Sequence, residues 1–474
     1  MTASLHAYPD YKDSGLPWLP TIPAHWAIAR AKLLFKCIDM RSLTGDEELL
    51  TVSASDGVVP RREKTVTMFM AQSYEGHKLC WPRDLVINSL WAWAQGLGFS
   101  RHHGIVSSAY GVYRLREEFS DHWTYFDYLL RSSAYDWELR VRSKGVWTSR
   151  LQLTDEAFLG MPLLIPPADE AEAIVSYLSL VGRHINRVVR AKRRLIELLN
   201  EQKQAIIHRT VTRGLDLSVP LKPSGAEWLG CIPEHWEVKR LHQITDPSRP
   251  VMYGIVLPGP NVDDGVYIVK GGDCEPGRLR PERLSRTTRE IESRYARSRL
   301  AEGDVVFAIR GGVGAAELVP RELAGANVTQ DAARIASGSG IHAQWLLHAV
   351  RSPMFQVHVK SRVVGATVRG VNIRDLERVE VVIPPHDEQM RIAHDLDDAT
   401  RSITDAVDGT LREIAVCREY HVRLISDIVT GRLDVRGAKL PVLDEGDLLE
   451  GVDTLADQGD DETADAEEAG DADE

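Results

Sequence analysis

The sequence has no apolar run long enough to cross a bilayer, which excludes a transmembrane helix. Its first residues contain no basic stretch followed by an apolar one, so they do not resemble a secretory signal. Cysteine is scarce. There are five cysteines, an odd number, and no two of them form a Cys-x-x-Cys pair. That scarcity argues against a disulfide framework and a thiolate zinc site. We therefore expect a cytoplasmic protein.

Catalytic signatures are also missing. There is no phosphate-binding Gly-x-x-x-x-Gly-Lys-Ser/Thr loop and no Asn-Pro-Pro-aromatic motif of amino-methyltransferases. The glycine cluster at 310–317 lacks the third glycine of a dinucleotide loop and soon meets Pro320, which predicts a tight loop after a strand. His102 and His103 point to opposite sides of a strand and have no third ligand nearby, so we expect no metal site.

Negative charge is concentrated at one end of the chain. The net charge is −12, yet residues 444–474 hold 15 Asp and Glu and no Lys or Arg, which leaves +3 for residues 1–443. This final segment has no periodic apolar pattern, so it is predicted to be a disordered acidic tail over 441–474. The folded body is mildly basic.

The chain contains an internal duplication. Residues 12–30 align without a gap on 222–240 at an offset of 210, with ten of 19 positions identical. The shared motif is S-G-x-x-W-L-x-x-I-P-x-H-W. A second block, 163–216, matches 381–434 at an offset of 218, again without insertion. It begins with I-P-P-x-x-E and ends with TRGLD in the first copy and TGRLD in the second.

Each second block predicts a helix of about 40 residues, or roughly 60 Å. A Pro-Pro pair followed by acidic residues marks the start of each helix. Apolar residues follow the spacing of a coiled-coil seam, interrupted by Lys192 and Gln202, and their counterparts follow at +218. The predicted seam positions are 174, 178, 181, 185, 188, 195, 199 and 206, then 392, 396, 399, 403, 406, 417, 420 and 424. A helix with one apolar seam needs a partner, and the other copy supplies it. The pair forms a spacer of fixed length.

The sequence between the repeats diverges. Residues 31–150 and 241–368 carry short strand-like runs at 65–69, 84–90 and 304–309. The two inserts resemble each other only at scattered points, namely the strand starts at Asp84 and Asp304 and the segments 104–115 and 325–336. A duplicated framework thus carries two dissimilar inserts. The fold class predicted is α/β (α+β), with two mixed α/β domains and two long coiled-coil helices in an internal repeat.

This set of motifs resembles the specificity subunit of Type I restriction–modification enzymes. The resemblance rests on the S-G-x-x-W-L-x-x-I-P-x-H-W motif at 14–26 and 224–236, the I-P-P-x-x-E helix starts and the TRGLD-like helix ends. It covers residue 12 to about residue 436. One such motif would be weak, whereas the duplicated set in the same order is highly specific.

The resemblance implies two target-recognition domains, each of which reads one half of a bipartite site in double-stranded DNA. The two long helices would form an antiparallel coiled coil in a pseudo-twofold molecule and hold these domains apart. They would dock two modification (methyltransferase) subunits, and restriction/translocase subunits would join the complex. The chain itself would be non-catalytic and bind no cofactor, because S-adenosylmethionine, ATP and Mg²⁺ would serve the partner subunits. The N-terminal arm would belong structurally with the second helical region.

The domain boundaries follow from the repeats. We predict a repeated arm at 1–30, a first recognition domain at 31–160 and a helical spacer at 161–221. The second arm and recognition domain occupy 222–378, and the second spacer occupies 379–440.

Candidate DNA contacts are loop residues with forked or donor side chains, since Arg pairs with guanine, Asn or Gln with adenine, and Lys with phosphate. In the first insert they are Arg61, Arg62, Lys64, Asn88, Gln95, Arg101, His102, His103, Ser107 and Tyr110. In the second they are Lys270, Arg310, Asn327, Thr329, Gln330, Arg362, Thr367 and Arg369. Each of them also has an ordinary solvated interpretation. The tryptophans of the repeated motif, in contrast, are predicted to pin the arm to the scaffold, and Trp91 and Trp93 fit either role.

Two other functions remain open at this point. A fused restriction–methylation enzyme has a similar recognition half, but the missing methyltransferase and nuclease motifs speak against it. A coiled-coil scaffold without a nucleic-acid role is the other, and the two Arg-bearing inserts at equivalent places count against it.

The acidic tail has two interpretations, a solubilising segment or a competitor with DNA for basic surface. We predict that deleting residues 444–474 leaves assembly and sequence specificity intact, because the tail lies outside both repeats. If it shields basic surface, its removal tightens non-specific DNA binding, most visibly in titrations at low salt. Loss of folding or of partner binding on truncation would contradict this assignment.

Overall fold

A computed structural model describes residues 5–64, 73–145, 151–226, 228–363 and 370–438. It divides into two compact units: unit 1 comprises Met1–Lys192 with Arg412–Glu474, and unit 2 comprises Arg193–Leu411. Both combine short strands with helices, so the α+β class predicted from the sequence is confirmed. Within the described ranges, no helix is both long and apolar enough to span a membrane. The strand-like run at 65–69 and the acidic tail lie outside these ranges.

Unit 1 begins with the arm and continues into the first mixed domain. Its strands are β1 (Tyr11–Leu16), β2 (Leu19–Pro23), β3 (Ala27–Arg30), β4 (Phe35–Cys37), β5 (Leu50–Ser53), β6 (Gly57–Pro60), β7 (Lys78–Cys80), β8 (Asp84–Ile87), β9 (Leu97–Phe99), β10 (Gly104–Val106), β11 (Gly111–Leu115) and β12 (Pro162–Ile165). Its short helices are α1 (Ala31–Leu34), α2 (Trp123–Leu130), α3 (Asp136–Arg142) and α4 (Asp155–Leu159). The long helix α5 (Ala168–Arg213) starts here and continues into unit 2.

Unit 2 repeats this order with a different domain. Its strands are β13 (Leu221–Pro223), β14 (Cys231–Pro233), β15 (Glu237–Arg240), β16 (Met252–Tyr253), β17 (Val266–Val269), β18 (Ser285–Thr287), β19 (Val305–Ala308), β20 (Ala316–Leu318), β21 (Asn327–Val328), β22 (Ala332–Ile335) and β23 (Glu380–Ile383). Its helices are α6 (Leu241–Ile244), α7 (Arg289–Ser293), α8 (Ala343–Arg351), α9 (Pro353–Lys360), α10 (Ile373–Glu377) and the start of α11 (His386–Val429).

Each unit contains one four-stranded antiparallel sheet, and the two sheets correspond. Their strand orders are β4-β11-β8-β9 and β16-β22-β19-β20. The central pairs, β8 with β11 and β19 with β22, come from the segments in which the sequence shows the scattered likeness between the inserts. The strands predicted at 84–90 and 304–309 are therefore confirmed, over Asp84–Ile87 and Val305–Ala308. Beside the second sheet, β18-β17-β21 forms a separate three-stranded sheet with a parallel β17–β21 pair.

The arm of each unit is tied to the start of a long helix by backbone pairing. Strand β3 pairs antiparallel with β12, which leads into α5, and β15 pairs in the same way with β23, which leads into α11. In unit 1 the arm also meets the end of α11. His6 forms a β-bridge with Asp434, and the Tyr11 hydroxyl donates to the carbonyl of Gly431 at 3.2 Å. The N-terminal arm thus packs against the second helical region, as the resemblance implies.

A carboxylate closes each of these junctions, buried in unit 1 and half-buried in unit 2. Glu170, only 2% exposed in the first turn of α5, accepts hydrogen bonds from the His25 ring at 2.7 Å and the Trp26 indole at 2.8 Å. In unit 2, Glu388 accepts the equivalent bonds from His235 at 2.8 Å and Trp236 at 3.0 Å. These residues are the His-Trp of one repeated motif and the Glu of the other. The two motifs are therefore the halves of one contact.

The Tyr8 hydroxyl also donates to Glu170, and this bond has no counterpart in unit 2 among the described residues. Burial and that hydrogen bond raise the pKa of Tyr8 well above its usual value. The phenol stays protonated and remains a donor. Three donors therefore converge on one carboxylate, which suits an anion at the positive end of the α5 dipole.

The prediction that the motif tryptophans pin the arm to the scaffold is confirmed for Trp26 and Trp236, whereas Trp18 and Trp228 contact helices α3 and α9 of the mixed domains. The Trp18 indole donates to Glu138 at 2.9 Å. Trp228 stacks on the His358 ring at 4.4 Å between centroids.

The helix ends explain why TRGLD in the first copy becomes TGRLD in the second. Gly214, at φ +74°, ends α5 with a single bond from its N–H to the Thr210 carbonyl. Gly431, at φ +75°, ends α11 with two bonds, one from its own N–H to Ile428 and one from the next N–H to Asp427. The glycine of TGRLD therefore lies one position earlier in the motif than the glycine of TRGLD, since α11 ends in this tighter cap.

Within each unit the stretches of α5 and α11 run antiparallel. In unit 1, Gly182 of α5 lies opposite His421 of α11. Ten residues later on α5, Lys192 pairs with Glu413, which lies eight residues earlier on α11, so the two helices run in opposite directions. In unit 2, the Lys203 ammonium donates to the Thr404 hydroxyl at 2.8 Å.

Part of the predicted seam is wrong by one residue. Leu195 is 46% exposed and Tyr420 is 43% exposed, and Ala399 and Ala406 also face solvent. At two of these places the next residue is the buried one, Thr400 after Ala399 and His421 after Tyr420, and both carry polar side chains. A search for apolar residues alone passes over buried polar positions, and a strict 3.5-residue repeat drifts against a 3.6-residue helix.

We predict that Glu170→Gln destabilises the protein. The amide keeps the size but loses the charge and turns an N–H group toward donors, so the loss should be about 2–3 kcal/mol. Chemical denaturation would measure the change in the free energy of unfolding. The control is Glu172→Gln, an exposed residue in the same turn. Equal stability of the two variants would contradict the assigned role.

Candidate nucleic-acid interface

In unit 2, three predicted residues meet where neighbouring strands end. Lys270 follows β17, Arg310 follows β19, and Gln330 follows β21. The backbones pack closely, since a Cβ atom on Gly271 would lie 2.8 Å from the Arg310 carbonyl oxygen. Lys270 and Arg310 are exposed, Gln330 is half-buried, and the Lys270 ammonium donates to the Ser285 hydroxyl at 3.0 Å. This group, called the unit 2 cationic edge below, presents two cations and an amide to solvent.

The glycine cluster supports this edge. Residues 309–315 form the tight connection between β19 and β20, as predicted, with Gly311 at φ +69° and Gly314 at φ +104°. A Cβ atom on Gly314 would lie 1.9 Å from the Gln356 side chain. The glycines therefore allow both the turn and its packing against α9.

In unit 1, the predicted cations lie in two loops. Arg101, His102 and His103 occupy the β9–β10 connection, and Arg61, Arg62 and Lys64 follow β6. Arg101, Arg62 and His103 are exposed. Several of these groups already have acidic partners. Arg62 pairs with Glu48 at 2.9 Å and Lys64 pairs with Asp56. Hydrogen bonding from Ser42 lowers the pKa of Glu47, and the nearby His103 adds to that effect.

Three candidates are too buried to reach a duplex, which corrects their assignment as DNA contacts. Asn327 has no exposed surface, and its side chain bonds to Ser298, Glu292 and the Tyr295 carbonyl. Thr329, 4% exposed, donates to the Val269 carbonyl at 3.3 Å. Both stabilise the strand ends beneath the unit 2 cationic edge.

Asn88 is the third, at 6% exposed, and it donates to the Tyr110 hydroxyl at 3.1 Å. Gln95 adopts φ +63° and donates to Asp136, which occupies its amide within the domain. The residue types of Asn88 and Gln95 predict contacts with DNA. The sequence does not show that each amide already forms a hydrogen bond within the folded domain.

The remaining candidates have mixed positions. Ser107 and Arg362 are half-buried, and the Nη1 atom of Arg362 has no hydrogen-bond partner among the described residues. Thr367 and Arg369 lie outside the described residues. Trp91 and Trp93 stack on each other with centroids 5.6 Å apart.

Both sheets contain a buried aspartate bound by arginine, but the two use different arginines. Asp84 accepts two bonds of 2.7 Å from Arg114, and the hydrogen bond raises the pKa of that guanidinium. Asp304 instead takes its pair from Arg249, at 2.8 Å from Nη1. Arg334, which lies opposite Val306 in the second sheet, is 2% exposed and donates to backbone carbonyls, and its burial lowers its pKa. These arginines stabilise the sheets.

The fold, the unit 2 cationic edge and the exposed loops of unit 1 define a class of protein. It is a duplicated α+β chain in which a common helical scaffold carries two different recognition-type domains. Comparison with known proteins makes the class specific. No protein-family profile matches the chain. The Type I restriction enzyme EcoBI specificity subunit of Escherichia coli is 26% identical over 235 residues, 48% of this chain and 49% of that protein.

The putative type I restriction enzyme MjaX specificity subunit of Methanocaldococcus jannaschii is 22% identical over 303 residues, 62% of this chain and 64% of its own length. The chain thus spans between half and two thirds of these relatives. A chain from a study of assembly and conformational transition of the type I R-M system has the same fold, with a TM-score of 0.61 at 16% identity. It covers 87% of this chain and 99% of the other. The resemblance to Type I specificity subunits predicted from the repeated motifs is confirmed.

We predict that Asn327→Ala lowers the free energy of unfolding, because Asn327 bonds within the domain and is too buried to contact a ligand. The substitution leaves the Ser298 hydroxyl and the Glu292 carboxylate short of a buried partner, at a cost of about 1–3 kcal/mol. Urea unfolding followed by circular dichroism would measure this loss. Gln330→Ala is the control, since Gln330 is half-buried and its side chain should cost less than about 0.5 kcal/mol. A stable Asn327→Ala protein with altered DNA specificity would overturn the structural assignment.

Proposed function

We propose that the chain is the DNA sequence-specificity subunit of a Type I restriction–modification complex. Its two mixed domains each read one half of a bipartite target in double-stranded DNA. The helical scaffold docks two modification subunits, and restriction subunits join them. The chain contributes recognition, while its partners contribute catalysis.

The observation that carries this proposal is the contrast between the scaffold and the domains it holds. The scaffold repeats in detail, down to the Glu170 and Glu388 junctions. The sheets repeat in topology only, and their exposed edges carry different residues. A scaffold that stays the same while its edges diverge suits a protein that reads two unlike sequences in one geometry.

The chemistry of the edges supports DNA as the ligand. An exposed arginine can bind the O6 and N7 atoms of guanine with both guanidinium nitrogens, and lysine neutralises phosphate. The unit 2 cationic edge offers both, as Arg310 and Lys270, on strand ends that are fixed by buried hydrogen bonds. In unit 1, Arg101 and its neighbours offer the same donor types.

The partner subunits would supply the reactions. S-adenosylmethionine would be used by the modification subunits, and ATP and Mg²⁺ by the restriction subunits. No cofactor is assigned to this chain.

The test is to express the chain with the modification subunit from its own operon and to map methylated bases by long-read sequencing. Arg310→Ala should relax one base position in one half of the motif and leave the other half unchanged. Loss of a bidentate contact to guanine weakens discrimination by about 1–3 kcal/mol. The expected readout is partial methylation of sites that differ at that position.

Two controls accompany the test. Arg321→Ala removes an exposed arginine from a turn elsewhere in unit 2 and should leave the motif unchanged. The chain expressed without its partner should leave the genome unmethylated. Methylation by the chain alone, or a methylated site that is not bipartite, would contradict the proposed function. Equal relaxation of both halves by Arg310→Ala would contradict the role of this edge.

A further inference from the structure

Unit 1 contains a cleft of about 700 Å³ that the contacts above leave unexplained. One wall comes from loops of the first mixed domain and from α2 (Trp123–Leu130), and the other from the facing stretches of α5 and α11. A volume of this size falls within the roughly 300–1,000 Å³ of small-molecule sites. The cleft therefore has room for an organic ligand.

Among the described residues, four guanidinium groups line the cleft, against one carboxylate in the lining and a second outside it, Asp121, which pairs with Arg83 at 3.6 Å. The guanidinium groups belong to Arg83, Arg101, Arg131 and Arg183, and the lining carboxylate is that of Asp127, 3.6 Å from Arg131. The lining thus carries an excess of three positive charges. Guanidinium groups bind phosphate and carboxylate through paired, charge-assisted hydrogen bonds. This lining favours an anion.

Buried donors in the lining lack partners. His421 is 6% exposed, and neither ring nitrogen has a hydrogen-bond partner among the described residues. The buried Nε atoms of Arg131 and Arg183 are likewise unpaired there. Burial also lowers the pKa of His421, which keeps the ring neutral with one donor and one acceptor nitrogen. Because an unsatisfied buried polar group costs about 1–3 kcal/mol, these groups call for a partner inside the cleft.

The duplicated scaffold provides an internal comparison. At an offset of 218, the position of His421 is occupied in unit 2 by Lys203. That side chain is satisfied internally, since it donates to Thr404 at 2.8 Å. On the facing side, Asp397 of unit 2 bonds to His348 at 2.8 Å. Lys203 and Asp397 of the second copy thus have polar partners, whereas neither ring nitrogen of His421 in the first copy has one among the described residues.

Gly182 helps to keep the cleft open. A Cβ atom there would lie 3.4 Å from Nε2 of His421, so any larger side chain would extend into the lining. The equivalent residue of unit 2 is Thr400, whose buried hydroxyl donates to the carbonyl of Leu396 at 2.7 Å. Unit 2 has a smaller cleft, of about 410 Å³, and no arginine, lysine or carboxylate lines it among the described residues, so the arginine lining is a feature of unit 1.

The rest of the lining is aromatic and apolar. Trp123 and Tyr128 from α2 and Val422 and Ile425 from α11 provide these surfaces. Aromatic side chains stack on nucleobases, with about 1–3 kcal/mol per base. We propose that this cleft of unit 1 binds a nucleotide-sized organic phosphate, with the arginines on the phosphate and the aromatic wall on the base.

The experiment titrates the purified full-length chain with AMP, adenosine and inorganic phosphate by calorimetry, in the absence of DNA. We expect saturable AMP binding with a Kd on the order of 0.1 mM, and at least tenfold weaker binding of either fragment alone. Arg183→Gln should weaken AMP binding at least tenfold. Arg401→Gln is the matched control, because it changes the equivalent position of α11, where the side chain is 68% exposed and pairs with Asp398 at 3.2 Å.

Two further variants guard against misfolding. Gly182→Thr introduces the residue that the second copy carries and should abolish binding by filling the cleft. Arg101→Gln changes an exposed residue of the lining, so it should fold normally and still weaken AMP binding several-fold. Thermal unfolding by circular dichroism verifies that each variant is folded.

Three results would overturn the proposal. The first is the absence of saturable AMP binding, or binding that Arg183→Gln, Gly182→Thr and Arg101→Gln leave unchanged. The second is phosphate binding as tight as AMP binding, which would exclude a nucleotide. The third is competition between AMP and a DNA duplex of unrelated sequence that persists in the Arg101→Gln variant, which would assign the cleft itself, and not only the shared Arg101, to a DNA phosphate. None of these results depends on the partner subunits or on methylation.

Discussion

The carboxylate at the start of each long helix is the contact on which both units depend. Glu170 and Glu388 sit where the helix dipole favours an anion, and each accepts hydrogen bonds from the His-Trp pair of an arm that is distant in sequence. The backbone pairing of β3 with β12 and of β15 with β23 brings arm and helix together at the same point. Arm, domain and helix therefore meet at one small polar junction, whose charge is stabilised by indole and imidazole donors.

Around these junctions the two units share topology more than side chains. Both four-stranded sheets place a buried aspartate at the start of a central strand, and both satisfy it with a guanidinium. Arg114 fulfils that role in the first sheet, whereas Arg249 does so in the second and leaves Arg334 to bond with carbonyls. The fold thus tolerates rewiring as long as each buried charge keeps a partner. This tolerance allows the exposed edges to diverge on a constant core.

The buried polar side chains of the long helices also need partners, but one of them has none among the described residues. The buried face of α11 carries Thr400, Thr410 and His421, and the threonines bond to their own helix. His421 has no such partner among the described residues, and it faces Gly182 in a cleft lined by arginine. The cleft of the second copy has no charged side chain among its described lining residues, whereas four arginines line the cleft of the first. Duplication provides the scaffold, and substitution at a few buried positions gives one copy a feature that the other lacks.

Much of the architecture follows from the sequence alone. The repeats fix the arms, the long helices and the pairing of two copies, and the Pro-Pro, acidic and glycine signals mark where each helix begins and ends, because they act through neighbouring residues. The central strands at Asp84 and Asp304 are also local features. The choice of DNA contacts in the exposed loops, such as Arg310 and Lys270, rests on residue type and remains a prediction from sequence.

Tertiary structure alone decides which polar side chains are free. Asn327, Thr329 and Asn88 look like loop donors in the sequence, yet each is held by a partner brought from elsewhere in the fold. The one-residue shift of the seam has the same origin, since burial at Thr400 and His421 depends on what lies across from them. The arginine-lined cleft draws on residues as far apart as Arg83 and His421. Local sequence signals specify helices and turns, whereas burial and hydrogen-bond satisfaction are properties of the packed chain.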